Sequence, residues 1–549
     1  MSAAFVEEGI NKIVRFDLHL YGAIMFTHVR PSLAGQAGIT TAPRALVIGA
    51  GLGGLAAAMR LGARGYRVTV IDRLDGPGGR GTCLWEDGHR FDLGPTILTV
   101  PQLFRDLWRA CGRDFDAEVD LRALDPFYEI RWPDGSRFAA RRDGAAMRAE
   151  VARLSPGDVP GYDRFLRDSA ARYRFGFEGL GRRPMHRVSG LLAVLPRFAA
   201  LRADRSVHAH VARRVRDPRL RMALSFHPLF IGGDPFRVTS MYTLVSHLEA
   251  AFGVHYAIGG IAAVAQSMAR VVAEQGGHLR YGAEVDEILV RDGRAGGVRL
   301  TGGEIAPADI VVSNADAGHT YDRLLSGRKR RWTGRRLRRA RWSMGLFVWY
   351  FGTRGTRGTR DLWPDVGHHT ILNGPRYEGL VRDIFRTGRL AEDMSLYVHR
   401  PSVTDPGVAP EGGDTFYALS PVPHLGHADP VDWAAMAEPY RRRVQAVLEQ
   451  QLLPGLGAHL SASRVFTPET FRDRYLSPHG AGFSLEPRIL QSAWFRPHNV
   501  SEEIRGLYLV GAGTHPGAGL PGVVASAEVL DRLVPDPQTL SRTMNMRVT

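Results

Sequence analysis

Gly49, Gly51 and Gly54 stand at G-x-G-x-x-G spacing, and Asp72 lies 18 residues beyond the last of them. Glycines so spaced allow a tight turn, bring backbone N–H groups close to a pyrophosphate and let a helix pack against a strand. An acid at that distance can accept hydrogen bonds from a ribose hydroxyl. The chemistry this set supports is the holding of a redox dinucleotide, NAD or FAD. Gly78, Gly79 and Arg80 come shortly after the acid. Adjacent glycines permit close backbone approach, and an arginine supplies a fixed cation for phosphate. Far along the chain, Gly511, Gly513 and the loop to Gly522 lead into a predicted helix. Its N-terminus can face an electron-rich group such as a reduced flavin ring. Glycine is common here, 63 of 549 residues, so the triad alone is weak and its surroundings decide.

Those surroundings are strand, helix, strand. Residues 45–48 form a short apolar run suited to a buried parallel strand, 55–63 read as a helix offering free N–H groups at its start, and 66–71 resume as a strand. "FDLGPTIL", at 91–98, adds another Gly-Pro loop. Two alternating apolar runs flank Asp292-Gly293, a hairpin signal, and a third strand follows before Ala315. "MGLFVWYFG", at 344–352, reads either as a buried strand or as the wall of an apolar tunnel, and "GTRGTRGTR", at 352–360, as an expanded surface loop.

With "GAGLGGLAAAMRL", "DGPGGRG", "FDLGPTI", "SFHPLFIGGDPF", "SMYTLVSHLEAAFGVHYAIGG", "VVSNAD", "EPRILQSAWFRPHN" and "LVGAGTHPGAGLPGV" in place, the sequence resembles the bacterial phytoene desaturase family. That family sits within the FAD-dependent amine-oxidase-like flavoproteins, and the resemblance is closest to enzymes of purple phototrophic bacteria. It spans residues 44–533. It implies an α/β fold: a discontinuous Rossmann-like FAD-binding domain (44–130, 265–320 and 495–535) and an inserted α+β, membrane-facing substrate domain (131–264 and 321–494). It places Gly53, Arg73, Gly94, Pro95, Thr96, Val285, Gly519, Leu520 and Val523 at the FAD, beside Gly49, Gly51, Gly54, Asp72, Gly79, Arg80, Gly511 and Gly513. The implied reaction desaturates phytoene, a C40 carotenoid precursor, in successive steps that each remove two hydrogens, to give neurosporene and/or lycopene, with quinone or oxygen as final acceptor. A hydride leaves for the flavin and a proton leaves the neighbouring carbon. His227, Asp234 and Glu486 are candidate acid/base residues, each a polar residue in an apolar neighbourhood. His515 could shape the flavin loop or react.

Composition agrees with a globular enzyme: 23% charged and 44% hydrophobic residues. Cys83 and Cys111 are the only cysteines, so no disulfide framework is expected, and no sequence spacing suggests a metal site. No H-E-x-x-H, C-x-x-C or G-x-S-x-G element favours a hydrolase. The formal net charge is +15, and "RKRRWTGRRLRRAR", at 328–341, holds nine cations and no acid. No nucleic-acid-binding motif accompanies it. Two readings stay open: a solvated basic surface, or a face for anionic lipid. A second basic run occupies 211–222. "SGLLAVLPRFAALR", at 189–202, reads as an interfacial helix or as a core helix broken by Pro196. No apolar stretch is long enough to span a bilayer. The expected location is therefore cytoplasmic, peripheral to the inner or intracytoplasmic membrane, with the oligomeric state open. Residues 1–43 read as a flexible extension, or the true start lies at Met25; 536–549 reads as a disordered tail. The rival readings are a desaturase, isomerase or oxidase of a later carotenoid, an amine oxidase of the same fold, and a FAD-free relative of the Rab-escort type.

Overall fold

Apolar runs from three distant parts of the chain meet in one parallel sheet, ordered Leu507–Leu509, Ile310–Ser313, Arg44–Ile48, Arg67–Ile71, His278–Arg280. Four of these five strands are largely buried, which is why they read as apolar runs rich in Val, Ile and Leu, while the edge strand His278–Arg280 is partly exposed. Val47, Val70 and Val312 face the helices Leu52–Ala63, Gly260–Glu274 and Leu520–Asp531. Leu46, Val311 and Leu509 face the opposite way, toward the antiparallel strands Val285–Arg291 and Arg294–Leu300. The expected hairpin is present: Arg291 pairs with Arg294, and both Asp292 (φ 51°) and Gly293 (φ 70°) adopt the left-handed conformation a two-residue turn requires. The predicted first helix starts earlier than expected, at Leu52.

The computed structural model describes residues 42–327, 331–358 and 361–545. Nearly all of the amino-terminal extension, 328–330 of the basic run and 359–360 of the Gly-Thr-Arg repeat lie outside the described residues. From Ala42 onward the chain forms one unit.

A second, seven-stranded sheet runs Leu460–Phe466, Gly345–Thr353, Asp414–Val422, Leu396–His399, His369–Leu372, Tyr128–Arg131, Arg137–Ala140. Its first strand from the amino terminus straddles the boundary expected at 130. Gly345–Thr353 shows why "MGLFVWYFG" supported two readings. Strand side chains alternate, so Phe347, Trp349 and Phe351 pack in a core with the helix Trp433–Gln451, while Leu346, Val348 and Tyr350 turn to a cavity. The residues are buried and also line the wall.

The tail expected to be disordered from 536 is instead helical over Pro537–Asn545. Asp536 accepts a hydrogen bond from the Gln538 N–H at 2.9 Å, proline suits the first helical position, and Leu540 is buried against the main core. Composition alone did not reveal that anchor.

Candidate active site

A cavity of about 790 Å³ is walled by the C-terminal ends of the parallel strands on one side and by the seven-stranded sheet on the other. Strands running in one direction deliver all their following loops to one edge, where ligands of such sheets bind. Gly49, Gly51, Gly53, Asp72, Arg73, Gly79 and Arg80 line it, as do Gly94, Pro95, Thr96 and Val285. So do Gly511, Gly513, Gly519, Leu520 and Val523. Gly54 does not. It serves packing, since a Cβ there would sit 2.0 Å from the Gly49 carbonyl oxygen.

The residues fit FAD. Gly51 and Gly519 are the N-caps of Leu52–Ala63 and Leu520–Asp531, and neither helix has a side-chain cap. Two uncapped helix starts, each with unsatisfied N–H groups and a positive dipole end, therefore open into one cavity. Gly79 (φ +58°) approaches so closely that a Cβ would meet the Gly51 Cα at 3.2 Å. Asp72 accepts hydrogen bonds from the Ala50 N–H (2.6 Å) and the Leu74 N–H (2.7 Å), one on each oxygen. Burial pushes its carboxyl upward, and these two bonds oppose that. Lone pairs remain on both oxygens for ribose hydroxyls. The Arg80 guanidinium donates to the Ser477 Oγ and lies 6.0 Å from the Tyr475 ring. Arg73 is tied to Glu284 (3.1 Å) and to the Asp473 carbonyl (2.7 Å), so it braces the rim.

Asn314 was missed. Its Nδ2 donates to the Gly49 carbonyl (3.4 Å), and its side chain lies beneath Gly51, Gly53 and Gly511. The available signal was "VVSNAD", an apolar strand ending in polar residues, whose partner strands in the sheet cannot be read from spacing.

None of the three acid/base candidates lines the cavity. Asp234 and Glu486 form their own buried cluster: the Asp234 N–H points at Glu486 Oε1 (3.5 Å), with Arg386 3.7 Å from Asp234 and Arg488 3.9 Å from Glu486. His227 is buried behind the wall against Glu249 and Tyr128. Glu249 does line the cavity. His515 also lines it; its Nε2 faces the Leu180 (3.0 Å) and Arg183 (3.1 Å) carbonyls, and burial pushes its imidazole down to about 4. It therefore stays neutral and ties the glycine loop to the segment Tyr173–Gly181.

His368, His369 and His399 form a grouping that sequence spacing did not suggest, with nitrogens within 4.8 Å of one another. Two come from adjacent strands that pair His369 with His399. Burial holds all three below their ordinary range. Their nitrogens are largely engaged: His368 Nε2 with His399 Nε2 (3.0 Å), His368 Nδ1 with Thr404 (2.7 Å), His369 Nδ1 with Tyr397 (2.7 Å).

Burial pushes the Glu486 carboxyl from 4.5 up to about 7, and Asp234 adds to the rise. A folded-state value above the unfolded one means the native state holds the extra proton. That contribution is fully present below about pH 4.5 and is lost as pH rises through 7, about 3 kcal/mol in all. Glu486→Gln should therefore be more stable than the parent at pH 8 and should not gain at pH 4.5. Urea unfolding at the two pH values checks this, and an equal change at both would contradict it.

Comparison with known proteins adds the following. The family model described as flavin containing amine oxidoreductase matches residues 52–528. A neurosporene-forming phytoene desaturase from Cereibacter sphaeroides is 70% identical over 496 residues, covering 90% of this chain and 95% of its own. A lycopene-forming phytoene desaturase from a Paracoccus species is 44% identical, covering 89% of this chain and 96% of its own. Among solved structures, an oxidoreductase from Methanosarcina mazei superposes with a TM-score of 0.60 at 19% identity, over 88% of this chain and 98% of its own, a likeness of fold.

Proposed function

The chain belongs to the flavin-containing amine oxidoreductase family, and on that premise we propose that it is an FAD-dependent phytoene desaturase whose main product is neurosporene. One observation carries the reading: a single cavity joins the nucleotide-binding edge to a long wall of apolar side chains and then to an apolar mouth. A hydrocarbon without polar groups can be recognised only by burial, about 0.8 kcal/mol per CH₂. Leu346, Val348, Leu380, Ile384 and Leu419 supply such a wall. Bound FAD would supply the oxidant, taking a hydride from the substrate. The glycine loops would hold its pyrophosphate, Asp72 its ribose, and the start of Leu520–Asp531 would face the ring. The greater identity to a neurosporene-forming relative than to a lycopene-forming one favours the shorter course. The segments around the parallel sheet then serve as the FAD-binding domain and the remainder as the substrate domain.

The mouth supports a lipid-docked enzyme. Leu191, Leu195 and Phe198 of the helix Val188–Ala200 line the cavity, as do Ile489 and Leu490 across from them. Leu192 is 60% exposed and Leu490 68%. Only Val194 of that helix is buried, so it is not a core helix. Beside this rim the basic run packs down: Arg331 lies 4.5 Å from the Trp494 ring, and Arg336 lies 4.0 Å from Trp332 and donates to the Phe495 carbonyl. Arg335, Arg338 and Arg339 remain exposed. By contrast, Arg214 and Arg219 of the second basic run are paired with Asp168 (2.7 Å) and Asp217 (3.0 Å). No helix among the described residues is long and apolar enough to cross a membrane. An apolar mouth bordered by arginine suits the surface of an anionic membrane, from which phytoene would enter and where a quinone would be at hand. The cytoplasmic face of the inner or intracytoplasmic membrane is the setting this implies.

FAD-loaded protein on phytoene-bearing anionic vesicles, supplied with a quinone or oxygen as acceptor, should yield neurosporene. A Leu192→Glu, Leu490→Glu double variant should keep its flavin, bind vesicles at least about tenfold less, a loss of about 1.4 kcal/mol, and form little product. Unchanged co-sedimentation and turnover in that variant would sink the docking reading. Absence of coloured product from the parent would sink the desaturase reading.

A further inference from the structure

We infer that Glu249 accepts the proton that the substrate loses, positioned for that role by His227 and Tyr128. The inference rests on the desaturase reading above. Glu249 is the one acid in the helix Leu244–Phe252, and the residue is only 6% exposed. Tyr128 donates its hydroxyl proton to Glu249 Oε2 at 2.9 Å, and His227 Nε2 lies 3.0 Å from the same oxygen. Burial, and then Glu249 itself, hold the Tyr128 phenol far above its ordinary range, so it remains a donor. Both neighbours therefore engage one oxygen. The other, Oε1, is buried and has no partner. An unpartnered buried carboxylate oxygen is costly and uncommon, and this one belongs to a residue of the cavity wall.

The other acids and histidines of that wall are less suited to the role. Among the described residues lining the cavity, the other acids are Asp72, Glu284 and Asp316. Asp72 holds two backbone N–H groups, Glu284 is paired with Arg73, and Asp316 accepts from the Gly318 N–H. All three belong to the nucleotide edge. The lining histidines, His319 and His515, are both pushed down by burial, which makes them weak bases. Glu249 instead is linked through Tyr128 and His227 to a cluster of aromatic rings, of which Phe226, Phe230 and Tyr397 line the wall. Phe226 stacks on His227 at 4.6 Å, Tyr128 meets Phe226 edge-on at 5.6 Å, and Phe230 meets Tyr397 edge-on at 6.0 Å. Ring faces and a carboxylate both favour positive charge developing on a substrate carbon.

The step balances. Bound FAD would take a hydride from one carbon. The C–H bond on its neighbour breaks, the proton goes to Glu249 Oε1 once the carboxyl turns that buried oxygen into the cavity, and the electron pair left behind becomes the second bond of the new C=C.

Anaerobic single-turnover bleaching of the flavin band by phytoene in vesicles tests this. Glu249→Gln keeps the shape and the hydrogen-bonding oxygen but removes the base. It should purify with parental flavin content and bind phytoene with unchanged affinity, yet bleach 10²- to 10⁴-fold more slowly, the usual range for losing a general base. Glu249→Asp should recover part of the rate. Tyr128→Phe should lower kcat with little change in KM, as expected of a positioning residue. Bleaching by Glu249→Gln within threefold of the parent would overturn the proposal. So would loss of flavin and of thermal stability in Glu249→Gln without recovery in Glu249→Asp, which would mark the residue as structural. Failure of the parent itself to bleach would instead overturn the desaturase reading.

Discussion

The Gly51→Val protein is expected to fold and to purify colourless, with FAD retention reduced on the order of a hundredfold, a loss of about 3 kcal/mol. Gly51 has φ −67° and ψ 168°, a conformation that valine tolerates, so backbone strain is not the cause. The cause is space. A Cβ there would stand 2.8 Å from Asn314 Nδ2 and 3.9 Å from the Gly78 carbonyl oxygen. Asn314 would have to leave the Gly49 carbonyl, and the valine methyls would fill the volume through which a pyrophosphate approaches the uncapped helix start. Gly54→Ala should fail differently. Its Cβ would collide with backbone at 2.0 Å, so sheet and helix could not close and little soluble protein is expected. Absorbance of the two purified variants separates these effects. A yellow Gly51→Val protein with full flavin occupancy would overturn the assignment of the glycine triad.

What could be read in advance was what local chemistry dictates. A residue that must lack a side chain, or a carboxylate at a set distance from a turn, leaves its mark within a short stretch. Gly49, Gly51 and Asp72 were legible for that reason, as were the Asp292-Gly293 turn and the apolar parallel strands. What escaped depends on neighbours supplied by tertiary pairing. Asn314 matters because its strand lies beside Arg44–Ile48, a pairing across 265 residues. His369 and His399 meet through antiparallel register. His227, a candidate from the sequence, contacts Glu249, and of the two only Glu249 lines the cavity. Both are polar residues in apolar surroundings, and nothing in the sequence tells which of two contacting side chains reaches the cavity and which stands behind it. Asp234 and Glu486 did find one another, but in a buried cluster with arginines at its edge rather than at the cavity. The helix Val188–Ala200 could not be assigned from composition, since apolar residues look alike whether they face a core or a lipid. Its exposed face became visible only with the packing around it.

The remaining prediction separates a resident flavin from a visiting nicotinamide. Apo-protein supplied with FAD, phytoene-bearing vesicles and a quinone or oxygen should form coloured polyenes; NAD⁺ in place of FAD should form none. The triad and Asp72 by themselves would serve either dinucleotide. The second glycine loop distinguishes them. Gly511, Gly513 and Gly519 line the same cavity as Gly49 and Gly51, and Gly519 caps the start of Leu520–Asp531 with no side chain to occupy its N–H groups. A positive helix end at that place stabilises an electron-rich ring, an effect of about 0.3–2 kcal/mol. A nicotinamide, which becomes neutral on reduction and then departs, would gain nothing from it. Arg80, engaged with Ser477 and packed by Tyr475, adds a fixed cation suited to a phosphate that stays. Without air, phytoene should therefore bleach the flavin band, and admitting oxygen or quinone should restore it. Product formed with NAD⁺ in a rigorously flavin-free sample would overturn this account, and the first strand, turn and helix would then be read as a nicotinamide site.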